Sequence, residues 1–240
     1  MTSIILRSTR FGPRRAVASS MVGGLLVFGA LALEPSRSAA AAPVVANADD
    51  TVLDSGTAST LDSARAVDVA VRKGADDAEE RVRTGWVSLT SWDLELGVNG
   101  PEAQLVGLRF RSVAVPADAR IVSAYVQFQV DEVSTDSAAL TVKGFDSDSA
   151  APFRAMRRDI SSRSRTAASV AWTPPEWPKV KEEGADQRTP DLSEVVQEIV
   201  DRPGWETGNA LGLVITGEGR RTARSFETGP PAILHVEYRR

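Results

Sequence analysis

Between Ile121 and Val130 the chain reads IVSAYVQFQV, and this alternation constrains the fold more than any other stretch. Val122, Ala124, Val126, Phe128 and Val130 fall on one side of an extended segment, while Ser123, Gln127 and Gln129 fall on the other. That is the period of a strand with one buried and one solvated face. Such a strand needs partners, and the sequence offers them. Trp86–Leu96, read as one strand, puts Trp86, Ser88, Thr90, Trp92, Leu94 and Leu96 on a common face. Further strands are expected at 105–115, 140–144, 211–216, 222–226 and 233–238, and Trp172 closes another after Val170 and Ala171. In 105–115 the apolar parity changes from Val106, Leu108 and Phe110 to Val113 and Val115, which calls for a bulge or bend near Ser112. Turn residues such as Asn99-Gly100-Pro101 and Gly229-Pro230-Pro231 separate the segments.

One helix interrupts the strands. Thr189 is placed to cap it, Pro190 suits its first position, and Leu192, Val195, Val196, Ile199 and Val200 form a single apolar stripe that ends before Pro203-Gly204. Trp205 is expected to pack where the helix end meets the sheets. The pattern predicts an all-β fold, a jelly-roll-like two-sheet sandwich with one crossover α-helix.

Three regions follow from composition. Residues 1–48 read as a signal peptide: Arg7, Arg10, Arg14 and Arg15 precede an apolar run, Met21–Leu33, and small residues follow it. Cleavage after Ala40 and cleavage after Ala48 both fit, and Arg14-Arg15 leaves general and twin-arginine export open. Residues 49–68, rich in Asp, Ser, Thr and Ala, read as a flexible linker. Residues 69–240 form the β-sandwich module. The expected location is secreted, extracellular or envelope-associated, with no membrane attachment after cleavage.

Five arginines and one glutamate leave with residues 1–48, taking the formal charge from −4 to −8. An acidic chain of this kind is a poor match for nucleic acid or an anionic membrane, both of which need a cationic surface. There is no cysteine, so disulfides, thiolate metal sites and cysteine nucleophiles are excluded. The single histidine, His235, lies in a strand pattern and has no serine motif to work with.

The segments DDAEE (76–80), SWDLEL (91–96), QLVGLRF (104–110), SAYVQFQVDE (123–132), SSRSRTAASVAW (161–172), GADQRTPDLSEVVQEIVDRPGW (184–205) and GNALGLVITGEG (208–219) together resemble the DNRLRE-type jelly-roll accessory modules of secreted bacterial proteins. Those modules are related to an alginate-binding family of carbohydrate-binding modules. The resemblance runs from Asp76 to Tyr238 and implies a sandwich that binds glycan without catalysis. The six-residue string that names the group does not occur here, and no binding residue is carried over from it.

Candidate site residues come from chemistry instead. Arg154, Arg157, Arg158, Arg163 and Arg165 crowd one short stretch of an otherwise acidic protein. Their planar donor forks suit the carboxylates of a uronate polysaccharide. Of Trp172, Trp177 and Trp205, Trp177, between Glu176 and Pro178, is the one most readily presented as a stacking platform, with burial as a packed ring the alternative. Asp77, Glu79, Glu80, Asp93, Glu95, Asp131 and Glu132 supply oxygens for a structural calcium, which takes six to eight such ligands. Asp93 and Glu95, two apart on a strand, are also the one carboxylate pair to weigh for hydrolysis. The expected partner is an acidic polysaccharide or a cell-surface component. The alternative is an envelope or matrix module that binds protein and no glycan.

Overall fold

The computed structural model describes residues 63–240. The expected signal peptide, residues 1–48, lies outside the described residues, and so does the expected linker up to residue 62. Arg65 to Asp68, expected in the linker, instead open the first strand, β1 (Arg65–Ala70), which pairs along its whole length with the last strand. Sparse apolar content hid this strand, because only Val67, partly buried, and Val69, buried, carry large side chains to the core.

The remaining strands in chain order are β2 (Asp77–Arg81), β3 (Val87–Ser88), β4 (Asp93–Asn99), β5 (Glu102–Phe110), β6 (Arg120–Gln127), β7 (Val130–Glu132), β8 (Ala139–Phe145) and β9 (Arg165–Trp172). The helix α1 (Ser193–Val200) follows, then β10 (Leu211–Glu218), β11 (Arg220–Arg224) and β12 (Ile233–Arg239). One sheet has the order β1-β12-β6. The other runs β7-β11-β4-β5-β10-β8-β9, with β2 added beside β5 and β3 beside β2. The pairings are antiparallel. Both sheets feed one interior: Leu108 and Leu213 from the larger, Val126 and Leu234 from the smaller, Val195 and Ile199 from the helix. The protein is thus an all-β sandwich with one helix.

Irregularities decide which residues reach that interior. The β6–β12 register slips between Glu237 and Tyr238, so Ile121 opposes Tyr238 and Ser123 opposes Glu237. Val122 is the extra residue of this bulge. It turns out to solvent and Ile121 takes the buried place, reversing the expected phase at that end of the strand. Ser112 does what the parity change required, with a left-handed φ of 58° after which Val113 and Val115 point inward. The expected strand 86–96 is two strands: Val87 pairs with Glu80 of β2, whereas Asp93 pairs with Arg224 of β11. Because the chain changes neighbours between them, Val87 is buried in a second apolar cluster while Trp86 and Trp92 face solvent.

The helix segment seals the open edge of β6. The Thr189 hydroxyl accepts the Val126 N–H at 3.0 Å, Asp191 accepts that of Ala124 at 2.9 Å, and Gln197 accepts that of Ile121 at 2.7 Å. Thr189 is therefore an edge partner of β6 and not the helix cap, and α1 starts three residues later than expected, with Leu192 at its cap position. Satisfying an edge strand in this way removes a template for association. Trp205 is buried and its indole N–H reaches the Val115 carbonyl at 3.0 Å, fixing the helix end against the sheets.

Trp177 is a plug and not a platform. It is fully buried, its indole N–H donates to the Asp186 carbonyl at 3.0 Å, and its ring lies 6.5 Å from Trp172 and 6.4 Å from Phe128. The prolines before it are anchored from below: the buried Arg221 donates to the carbonyls of Pro174 at 2.9 Å and Pro175 at 2.7 Å. A polar handle that finds a carbonyl is the usual condition for burying tryptophan. Trp177→Ala is expected to lose ~3–5 kcal/mol in urea unfolding, as for other buried aromatics. Val122→Thr should change stability by less than about 0.5 kcal/mol. A loss below ~1 kcal/mol for Trp177→Ala would contradict the packing described.

Candidate functional site

The acidic run 76–80 becomes β2 and the turn before it, and its carboxylates are buried. Each holds a different neighbour. Asp76 pairs with Arg109 at 2.5 Å. Asp77 accepts the Phe226 N–H at 2.8 Å, and Glu79 accepts the Glu95 N–H at 2.7 Å. On the opposite face of the strand, Glu80 accepts the N–H groups of Ile160 and Ser161, both at 2.9 Å. β2 is thus a fastening strip that ties β4, the segment after β11 and the arginine-rich loop to one place.

Of the seven carboxylates expected to share a cation, the fold brings three together. Oxygens of Glu79, Asp93 and Glu95 lie within 4.8 Å of one another. Asp77 and Glu80 are committed to backbone amides elsewhere. Asp131 faces Arg224 at 3.7 Å, and Glu132 faces Arg220 at 3.2 Å. Burial, and then the neighbouring Glu79, push the Glu95 carboxyl up to about 8. Burial and then Glu95 raise Asp93 to about 6, and burial raises Asp77 to about 7.

The arginines do not converge on one patch. Arg154 and Arg163 both close on the buried Asp159, at 3.1 and 2.7 Å, and Arg163 also covers the Phe153 ring at 4.4 Å. Arg165 lies on β9, opposite Phe145. Arg157 and Arg158 reach the turn between β2 and β3: the Arg157 guanidinium donates to the Thr84 carbonyl at 2.8 Å, and the Arg158 N–H to that of Gly85 at 2.7 Å. Gly85 has a φ of +69°, and a Cβ there would meet the Arg158 side chain at 2.6 Å, so only glycine allows this approach.

That turn leads into Trp86. Trp86 and Trp92 are 48% and 78% exposed, the exception among the chain's five tryptophans, and both line a cleft of about 300 Å³. Its other walls include Glu79, Arg81, Asn99 and Gln104. The Arg81 guanidinium lies 5.1 Å from the centre of the Trp86 ring. Such a cleft offers two apolar plates above a floor of donors and acceptors. The sequence put both tryptophans on one face of a single strand together with Leu94 and Leu96, without separating them from those core residues. The cue against this was that Ser88 and Thr90, which lie between them on that face, are too polar for an interior row.

His235 sits on β12 against Asp68 at 2.8 Å and stacks on Tyr125 at 4.7 Å. Among the described residues no helix is long and apolar enough to cross a membrane.

The raised carboxyls fix a sign for pH dependence. A carboxyl that the fold raises binds its proton more tightly in the folded chain than in the unfolded one, so stability is highest below the ordinary value and is lost as pH rises through the folded value. For Glu95 this window runs from 4.5 to about 8. With chelator present, the melting temperature is expected to rise by roughly 3–6 °C on going from pH 8 to pH 5.5. Glu95→Gln should flatten the upper part of the curve and melt higher than the parent at pH 8. A wild-type curve that falls over the same interval would contradict the buried cluster.

No protein-family model matches the chain, and no curated protein matches it, so the site is read from its own residues.

Proposed function

We propose that the protein is a secreted, non-catalytic module that binds an acidic extracellular polysaccharide in the cleft between Trp86 and Trp92. The observation that carries this reading is the exposure of two indoles across one polar cleft. Tryptophan is ordinarily well buried, as Trp172, Trp177 and Trp205 are here, so two left open beside each other call for a ligand. Sugar rings have apolar C–H faces that lie against indole and hydroxyl edges that suit a floor such as Asn99 and Gln104.

An acidic sugar is favoured by the rim at Trp86. Arg81 covers the ring, and Arg83 is largely exposed. Both face Glu102 only at 3.9 and 3.6 Å, contacts weak enough to yield to a ligand carboxylate. The resemblance of the sequence motifs to DNRLRE-type modules, whose relatives include an alginate-binding family, points the same way. Hydrolysis is disfavoured by placement: Glu79 is the carboxylate that lines the cleft, with Glu95 behind it, whereas a glycosidase pair flanks the scissile bond.

Titration calorimetry and affinity electrophoresis against alginate, pectin, chitin and cellulose test the proposal. Saturable binding to alginate or pectin is expected. Trp86→Ala and Trp92→Ala should each weaken it by roughly tenfold or more, the equivalent of ~1.4 kcal/mol, with little change in melting temperature. Arg81→Ala should weaken acidic glycans and spare neutral ones. Binding to none of the four, or equal binding by both tryptophan variants, would reject the cleft and favour a protein-binding module.

A further inference from the structure

We infer that Glu79, Asp93 and Glu95, with the hydroxyl of Thr222, form a calcium site in the wall behind the tryptophan cleft. The inference does not rest on the glycan reading, since the cluster and its neighbours are built whether or not a sugar binds.

Three carboxylates gathered in one place are not enough, because acidic groups cluster on many surfaces without an ion. The second observation is Thr222. It stands directly opposite Glu95 in the β4–β11 register, so the two side chains rise from the same face of the sheet as near neighbours. Thr222 is fully buried, yet its Oγ1 has no hydrogen-bond partner. A hydroxyl held dry and unpartnered beside a carboxylate is costly unless something accepts its lone pair. A cation does so, and Thr222 then joins the carboxylates as an oxygen ligand. Gln104 repeats the pattern at the other side of Glu79: it is buried, its Oε1 is unpartnered, and it faces the same cleft.

The surroundings do not neutralise the cluster. Arg224 opposes Asp93 in the register, but its guanidinium donates to the carbonyls of Thr228 and Gly229 at 2.9 and 3.0 Å and otherwise lies 3.7 Å from Asp131. Arg220 is held by Glu132. The ligand set is all oxygen, which selects a hard cation. Magnesium keeps several waters and is seldom held by an all-protein cage, whereas calcium accepts several carboxylate, amide and hydroxyl oxygens in a flexible geometry, so a set drawn from protein oxygens within 4.8 Å of one another favours calcium.

Calcium chloride titrated calorimetrically into chelator-treated protein, with magnesium as the competitor, tests the site. One calcium per chain is expected, at least tenfold tighter than magnesium, with a rise in melting temperature over the chelated protein. Asp93→Asn, at a half-exposed position that does not threaten folding, should weaken calcium at least tenfold. Thr222→Val keeps the shape and removes one ligand, and should weaken it by roughly tenfold. Absence of calcium heat together with identical melts in calcium and chelator would overturn the assignment, as would unchanged affinity in either variant. Because no sugar is present, a negative result here leaves the glycan test to stand or fall by itself.

Discussion

Hydrogen bonds that buried carboxylates accept from backbone amides hold the site end of this molecule together. β2 contributes them in alternation, Asp77 and Glu79 on one face and Glu80 on the other, so that one five-residue strand fixes three separate segments. The arrangement is expensive. Burying a carboxylate costs several kcal/mol, and each bond to a charged acceptor returns about 1.5–3 kcal/mol. Glu80 takes two amides on Oε2, while its buried Oε1 has no partner. Glu95 is pushed up to about 8, by burial first and then by the neighbouring Glu79.

The same strip determines where the tryptophans stand. Trp86 follows the turn that leaves β2, and Arg157 and Arg158 clamp that turn from the far side. Trp92 precedes β4, whose first turn of backbone is held by Glu79 through Glu95, and its carbonyl takes the Thr228 hydroxyl at 2.7 Å. Both rings are therefore presented from backbone that is fixed at either end, and little conformational freedom remains to be lost when a ligand settles between them. Arg154, Arg157, Arg158 and Arg163 take part indirectly, as fasteners of the loop that braces the cleft.

Much of the scaffold was legible in the sequence because burial leaves a period. The strand beginning at Ile121, the parity change at Ser112 and the apolar stripe of the helix all came from alternation that the core enforces, but the expected run to Val130 is broken: β6 ends at Gln127, and Val130 opens β7, which pairs with β11 in the other sheet. What escaped was set by events that leave no period. The bulge at Val122 depends on the register of a partner more than a hundred residues away. β1 brings only Val67 and Val69 to the core amid polar and small residues, so its composition looked like a tether. The site was less legible than the fold. The residues directly beside a tryptophan do not separate an exposed ring from a plugged one, and only the polar Ser88 and Thr90 hinted at the open pair: Trp177 sits among prolines and charges and is buried, whereas Trp92 sits in an apparent strand and is open. The acidic residues were recognised as a group, but which three would meet depended on β2 lying next to β4.

The account rests on a ligand lying against Trp86 and Trp92 while the other three tryptophans stay in the core. Iodide quenching of tryptophan fluorescence, with and without saturating oligouronate, reads this directly. Two exposed indoles should supply the quenchable fraction in the free protein, and bound oligosaccharide should shield most of it, with no effect of the same sugar on Trp86→Ala/Trp92→Ala protein. Tight binding that leaves the quenchable fraction unchanged would place the ligand elsewhere and contradict the account.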